Sequence, residues 1–425
     1  MVTYCIKTVV TSTGERLPML LGREGAPIWD ATLFTLTELR ARNRSSSTIE
    51  NALYALIVLQ LFVEQRGIEL QKRMAAGALF RLDELEDLVR ICRLPLAEIR
   101  RTASQQQIRS NAVKLSLERF RNRNSAPMSK ELVPALVATR LRYIRDYLNW
   151  LAVNRMSRLD AASAERSVLS DSARMLFQAI EARLPPVISR DRLTAREGLE
   201  PEVVAELLRI TACDCSDNPW LDEHARRRNE LLILWLFHLG LRRGELLGVR
   251  VSDIDFRAGT VMIVRRADDV ADPRRVQPNA KTRARVLALS ASLLDKTSKY
   301  VIDSRARISG ARKHQFLFVA SGTGMPLSIP AFAKIFSVMR SKSKTMPRNL
   351  FAHILRHTWN DRFSEEMDRR AVPEELEKKT RAYLMGWSET SGSAATYTRR
   401  HVRKRAEQAS LAMQQKILQG GDDDA

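Results

Sequence analysis

His353, Arg356 and His357 fall within five positions of the stretch NLFAHILRHTWNDRF, which begins at Asn349. The chain has six histidines in 425 residues, so two of them one helical turn apart call for an account. Phe351, Leu355, Trp359 and Phe363 recur at i+4 and predict one buried helical stripe. His353, Arg356 and Asn360 are three and four positions apart on a neighbouring face, where polar groups can converge on one point. The plainer alternative is a basic rim beside a core helix.

Three other stretches carry residues of the same chemical kind. In LLILWLFHLGLRRGELLGVRVSDIDF an apolar helix closes at Gly240, and Arg242 follows at a turn with Glu245 one helical turn beyond. A charged turn directly after a buried helix can hold a guanidinium rigidly, although a surface Arg–Glu pair would contribute little. In QPNAKTRARVLALS, Lys281 stands at the entry to a predicted strand, after a loop with Pro273 and Pro278. In YLMGWSETSGSAATYTRRHVRKR, Trp387 precedes Tyr397 by ten residues. Taken singly, Trp387 reads as core and Tyr397 as an amphipathic surface residue.

The elements that must position these groups are mostly helical. Residues 1–30 are β-like, with strands in TYCIKTVV and RLPMLLG around a TSTGE turn. A long helix follows, opened by a capping box from Ser47 to Glu50 and stopped near Gly67. Further helices are expected at 82–92, 95–120, 130–153 and 160–183, completing a helical domain over 31–184. Arginines such as those of ATRLRYIRDYLNWLAVNR are expected in part at a DNA backbone. Pro185, Pro186 and Gly198 mark a linker over 185–198. Beyond it, a mixed domain over 199–418 is expected, with helices at 201–212, 225–239 and 243–248. Strands are expected at 260–266, 283–290 and QFLFVA, and an acidic disordered tail at 419–425.

A formal net charge of +21 and a pI near 10.3 favour a polyanionic partner, above all nucleic acid. The basic residues are dispersed, which suits a folded basic surface better than a disordered arm. MVTYCIKTVV has no secretory pattern and the apolar run LLILWLF is too short to span a bilayer. A cytoplasmic, nucleoid-associated protein without a membrane partner is therefore expected. Cys5, Cys92, Cys213 and Cys215 suit a reducing compartment, and the CDC at 213–215 has no second Cys/His pair at zinc spacing.

Taken together and in order, the four stretches resemble the tyrosine recombinase (phage integrase) family over roughly 195–405. GLRRGELLGVRVSDID looks like its first arginine box, NAKTRARVLAL its β-hairpin lysine, HILRH its H-x-x-R box, and LMGW…TY its final box. Residues 31–183 resemble its helical, SAM-like core-binding domain in pattern only. The implied fold is mainly α, with an α+β catalytic domain holding a small antiparallel sheet. The stretch SEEMDRRAVPEELEKKTRAYLMGW is longer than the family pattern and implies an extra turn or short helix.

The resemblance implies a DNA strand-exchange enzyme. Arg242 and Arg356 would clamp the non-bridging oxygens of a phosphodiester, and the Trp387 indole N–H would add a donor where the family more often has histidine. Tyr397 would be the nucleophile, His353 its proton acceptor and Lys281 the acid for the leaving 5′-oxygen. Glu245 would orient the arginines, and His357 would have a support role or be plain helix surface rather than catalytic. No cofactor, ATP or metal is implied, because the phosphotyrosine conserves the bond energy. The implied partners are double-stranded DNA, three further protomers through a Holliday junction, and accessory DNA-bending proteins. The amphipathic stretch 402–418 would dock on a neighbouring protomer or on its own domain. An enlarged amino-terminal region favours a mobile-element integrase. The competing classes are a type IB topoisomerase-like relaxing enzyme and a non-catalytic DNA-binding protein.

Overall fold

The computed structural model describes residues 4–111, 131–186, 198–278, 282–343 and 345–388, with six further positions between 406 and 414. The chain divides into two compact units, one of residues 1–11 and 16–189, the other of residues 12–15 and 190–425.

In the first unit, β1 (Cys5–Val10) and β2 (Arg16–Leu21) form an antiparallel hairpin, with Cys5 opposite Leu21 and Val10 opposite Arg16. The helices are α1 (Trp29–Phe34), α2 (Ser46–Gln65), α3 (Leu70–Ala75), α4 (Leu82–Cys92), α5 (Leu96–Asn111), α6 (Pro134–Met156) and α7 (Ala164–Ala182). The centre is α2, whose apolar residues from Ile49 to Val63 cover nearly every face and pack against β2, α4, α5 and α6. Alone among the described helices, α2 is long and apolar enough to cross a membrane, but its side chains make this unit's core.

The predicted capping box of α2 is not formed. The helix starts at Ser46, so Ser47 and Glu50 already lie inside it, and the Ser45 hydroxyl instead meets those of Ser47 and Thr48. The arginines of α6 divide between two tasks. Arg140 donates to the carbonyls of Cys92 and Leu94, Arg145 pairs with Asp146 and Glu181, and Arg142 faces solvent. The outer part of the helix expected over 95–120 and the linker residues 187–197 lie outside the described residues.

The second unit opens with α8 (Pro201–Thr211), whose first position holds a proline that a helix start tolerates. The buried helix α9 (Glu223–Leu239) starts where the Asp222 carboxylate accepts the Ala225 N–H at 2.8 Å, and ends at Gly240 with φ 60°. After α10 (Arg243–Gly248) come β3 (Ile254–Asp255), β4 (Thr260–Ile263) and β5 (Arg285–Ala288), an antiparallel sheet in that order. Val261 lies opposite Leu287 and Ile263 opposite Arg285. Helices α11 (Ala291–Lys299), α12 (Ile329–Lys342), α13 (Ala352–Arg369) and α14 (Glu374–Met385) follow. The last of these is the element expected from the long insertion before Trp387.

QFLFVA does not form the expected strand. Phe316 to Val319 are all buried, and the segment makes only isolated bridges, Arg250 to Phe316 and Val319 to Pro326. Its neighbour turns at once into a 3₁₀ helix at Val251–Asp253, so the ladder cannot continue. The positions described within 402–418 are helical, and the acidic tail lies outside the described residues.

Gly240 must adopt the left-handed region, and a Cβ there would come within 2.9 Å of both Met385 Cε and Trp359 Cγ. Gly240→Ala is expected to lower the unfolding free energy by roughly 1–3 kcal/mol. Urea unfolding of the two proteins measures this directly, and an unchanged midpoint would show that neither the turn nor the packing constrains the site.

Candidate active site

The candidate residues are organised around one buried carboxylate. The turn after α9 makes Arg242 the residue that precedes α10, and Glu245 one turn in accepts the Arg242 backbone N–H at 2.8 Å. The Glu245 side chain is fully buried. Arg285 of β5 grips both its oxygens, at 3.1 and 3.2 Å, and the Thr282 hydroxyl donates to Oε1. The guanidiniums of Arg356 and Arg242 stand further off, with nitrogens 3.7 and 3.9 Å from the carboxylate. Burial alone would raise the carboxyl pKa, but the charge and hydrogen bonds of Arg285, the charge of Arg356 and the Thr282 hydroxyl outweigh it. The net effect holds the Glu245 pKa below the usual carboxylate range.

Arg356 lies on α13 and is 1% exposed. Its guanidinium donates to the Gly240 carbonyl at 2.7 Å and to the Met385 carbonyl at 3.1 Å. Both carbonyls sit at helix C-termini, those of α9 and α14, where backbone acceptors lack intrahelical partners and the helix dipole favours a cation. The same guanidinium lies 5.5 Å from the Trp387 ring centroid. Trp387 packs with Ala382, Met385 and Trp359, so the indole expected as core is core and also flanks the arginine.

The face of α13 differs from the expected stripe in two respects. Leu355 is fully buried, but Phe351, Trp359 and Phe363 are only half-buried, and the inward side runs through Ile354, Arg356, Thr358 and Asn360. Nor does Asn360 converge with His353. Its amide donates to the Arg356 backbone carbonyl at 2.8 Å and points toward Met385. His353 is exposed, with its ring edge-on to His357 at 4.6 Å between centroids. It lines a cavity of about 570 Å³ together with Arg242, Arg243 and Arg340, over a floor that includes Phe332 and Phe336.

The structure therefore brings Arg242, Glu245, Arg356 and Trp387 into one cluster and sets Arg242 and His353 on one cavity wall. Arg356 is buried and does not line that cavity. Lys281 and Tyr397 lie outside the described residues. Two residues of the cluster escape sequence reasoning, Thr282 and Arg285. Arg285 occupies the inward face of β5 while Val286 points outward, and its Nε donates to the Leu384 carbonyl at 2.7 Å. The one available signal was an arginine two residues from Leu287, in phase with the buried side of the strand. Among the described residues, no group of three or more His, Cys, Asp or Glu is placed to hold a metal.

Because the folded state depresses the Glu245 pKa, the unfolded chain takes up the proton first as pH falls. The stabilisation is thus complete above about pH 4.3, the unperturbed value, and is lost as pH drops through the folded value. Urea unfolding should show Glu245→Gln well below the wild type at pH 7, with the gap narrowing on acidification. A gap that does not change with pH would remove the carboxylate charge from this account.

Residues 199–402 match the model of the phage integrase family. Tyrosine recombinase XerD of Halalkalibacterium halodurans is 25% identical over 150 residues, which are 35% of this chain and 45% of that protein, so the match spans less than half of the relative's length. Similar solved structures include the XerA recombinase, at 17% identity, covering 63% of this chain and 82% of that one with a TM-score of 0.36. Another is the XerH site-specific recombinase bound to a palindromic difH substrate, at 17% identity, covering 66% and 78% with a TM-score of 0.39. The match to the phage integrase family model spans both arginine boxes and the buried carboxylate that joins them, so it is residues 199–402 that are similar to that family.

Proposed function

We propose that the protein is a site-specific DNA recombinase of the tyrosine type, an integrase that cuts and rejoins strands of double-stranded DNA through a 3′-phosphotyrosyl intermediate. The observation that carries this reading is the cluster itself. Arg242 and Arg356 come from distant segments of a unit matching the phage integrase family and gather around Glu245, with Trp387 packed against Arg356.

In this mechanism the Tyr397 phenolic oxygen attacks the scissile phosphorus, and its proton passes to His353. The bond from phosphorus to the 5′-oxygen breaks as the bond to tyrosine forms, and Lys281 protonates the departing oxygen. Negative charge rises on the non-bridging oxygens during attack, where Arg242 and Arg356 supply forked donors. Two helix termini hold the Arg356 guanidinium in place before any substrate arrives, so little reorganisation is needed. Rejoining reverses these steps with a new 5′-hydroxyl, and the phosphotyrosyl bond conserves the energy of the phosphodiester. Strand exchange between two duplexes requires four such sites, hence a tetramer of this chain on DNA. The helical unit over residues 31–184 would clamp the duplex, and integration or excision of a mobile element is the biological setting proposed.

Incubation with a nicked suicide duplex should give an SDS-resistant protein–DNA adduct, and Tyr397→Phe should give none. An undiminished adduct from that variant would remove Tyr397 as nucleophile. Lys281→Ala should bind DNA nearly normally but cleave it about 10²–10⁴-fold more slowly. Sulfur in place of the bridging 5′-oxygen leaves as an anion without a proton, so it should restore cleavage by Lys281→Ala and leave Arg356→Ala impaired. The opposite pattern of rescue would reassign the general acid.

A further inference from the structure

Proton delivery to the departing 5′-oxygen is assigned above to Lys281, whose ammonium ends a long flexible stem. Such a side chain contributes little orientation of its own. How well it serves as an acid then depends on how its main chain is held, since a misplacement of about 1 Å can slow a reaction about 10²-fold. Lys281 is bonded directly to Thr282, and consecutive Cα atoms lie about 3.8 Å apart. What fastens Thr282 therefore fastens the base of the lysine.

Thr282 stands just before β5 and is 8% exposed, although Arg283 and Ala284 after it are exposed. Its hydroxyl donates to Glu245 Oε1, the oxygen that also accepts from Arg285 at 3.1 Å. Gly386 packs so closely against it that a Cβ on the glycine would lie 2.9 Å from the Thr282 Cβ. The following residue is tied to the same glycine, through the Arg283 N–H and the Gly386 carbonyl at 3.0 Å. At the other end of the connection Pro278 is buried, and the Gln277 side-chain amide donates to the Arg266 carbonyl at 2.9 Å. Residues 279–281 thus connect two fastened ends.

The partner of the Thr282 hydroxyl is the informative part. Valine has nearly the same shape and would serve packing alone, whereas the hydroxyl reaches the one carboxylate that both arginine boxes share. Glu245 accepts the Arg242 backbone N–H and is ion-paired with the Arg242 and Arg356 guanidiniums. We infer that Thr282 is a positioning residue for Lys281, its hydroxyl fastening the peptide beside the lysine to Glu245 and so setting the general acid in register with the arginine cluster. The inference rests on the recombinase reading, in which Lys281 protonates the 5′-oxygen, and adds to it the group that fixes where the proton is delivered from.

The test is single-turnover adduct formation at saturating DNA on nicked duplexes with oxygen or sulfur at the bridging 5′ position. Melting curves and DNA affinity are measured for every variant. Thr282→Val removes the hydroxyl and should slow cleavage of the oxygen duplex by about tenfold to 10²-fold. Sulfur leaves without a proton, so the ratio of sulfur rate to oxygen rate should rise at least about tenfold over the wild type. Thr282→Ser keeps the hydroxyl and should keep the wild-type ratio. Adding Thr282→Val to Lys281→Ala should raise the ratio no further than Lys281→Ala alone, because the proton donor is already gone. An effect exerted through the arginines, or on the fold at large, would slow both duplexes alike. A wild-type ratio in Thr282→Val therefore overturns the inference even if both rates fall. If Thr282→Val does not fold, Thr282→Cys replaces it, since a thiol is only a weak donor. Its ratio should also exceed that of the wild type, and an equal ratio refutes the inference. Failure of sulfur to rescue Lys281→Ala would instead remove the general acid, and absence of any wild-type adduct the recombinase reading, each taking this inference with it.

Discussion

A carboxylate removed from water beside several guanidiniums is the constraint on which the second unit depends. Taking Glu245 out of solvent is unfavourable unless its lone pairs are filled and its charge is matched, and breaking such a pair costs about 3–5 kcal/mol. Filling those lone pairs dictates where distant segments must lie. The turn after α9 must present the Arg242 N–H, β5 must present Thr282 and Arg285, and α13 must bring Arg356 alongside. Three separate parts of the chain thus acquire one geometry from a single buried charge.

Two glycines make this convergence possible. Gly240 and Gly386 both end helices in the left-handed region, with φ 60° and 64°, and each leaves room that a side chain would fill. Through these turns the C-termini of α9 and α14 point their last carbonyls at the same guanidinium. Arg283 N–H adds a bond to the Gly386 carbonyl at 3.0 Å, which ties the strand to the turn that leads into Trp387. The start of the unit is tied to the same place. The backbone N–H groups of Gly198 and Leu199 donate to Asp361 and Thr358 on α13, the helix that carries His353 and Arg356.

Much of the basic charge serves the protein's own structure. Arg140, Arg274 and Arg305 each donate to backbone carbonyls, and Arg274 also pairs with Asp272 and lies over Phe316. Arg145 and Arg183 are engaged with Glu181 and Glu86. An arginine counted in the net charge is therefore not automatically an arginine offered to a polyanion, whereas Arg142, on the same helix as Arg140, is exposed.

The amino-acid sequence by itself determined most of the long helices and their order, although not the cap of α2. Helix periodicity and Gly240 after α9 act over a few residues, and those short-range signals survive unfolding of everything else. It also determined which residue types recur in the order of a known family, which is what made Arg242, Lys281, His353, Arg356, Trp387 and Tyr397 candidates. What only the tertiary structure decided is the direction of individual side chains. Arg285 faces inward because Glu245, forty positions away in sequence, needs its charge. Asn360 turns back onto its own helix, although its spacing from His353 suggested otherwise. Arg356 is buried, with its guanidinium on carbonyls 116 and 29 positions away. Spacing along a chain reports which residues share a face, whereas burial of charge is settled by partners that periodicity cannot see.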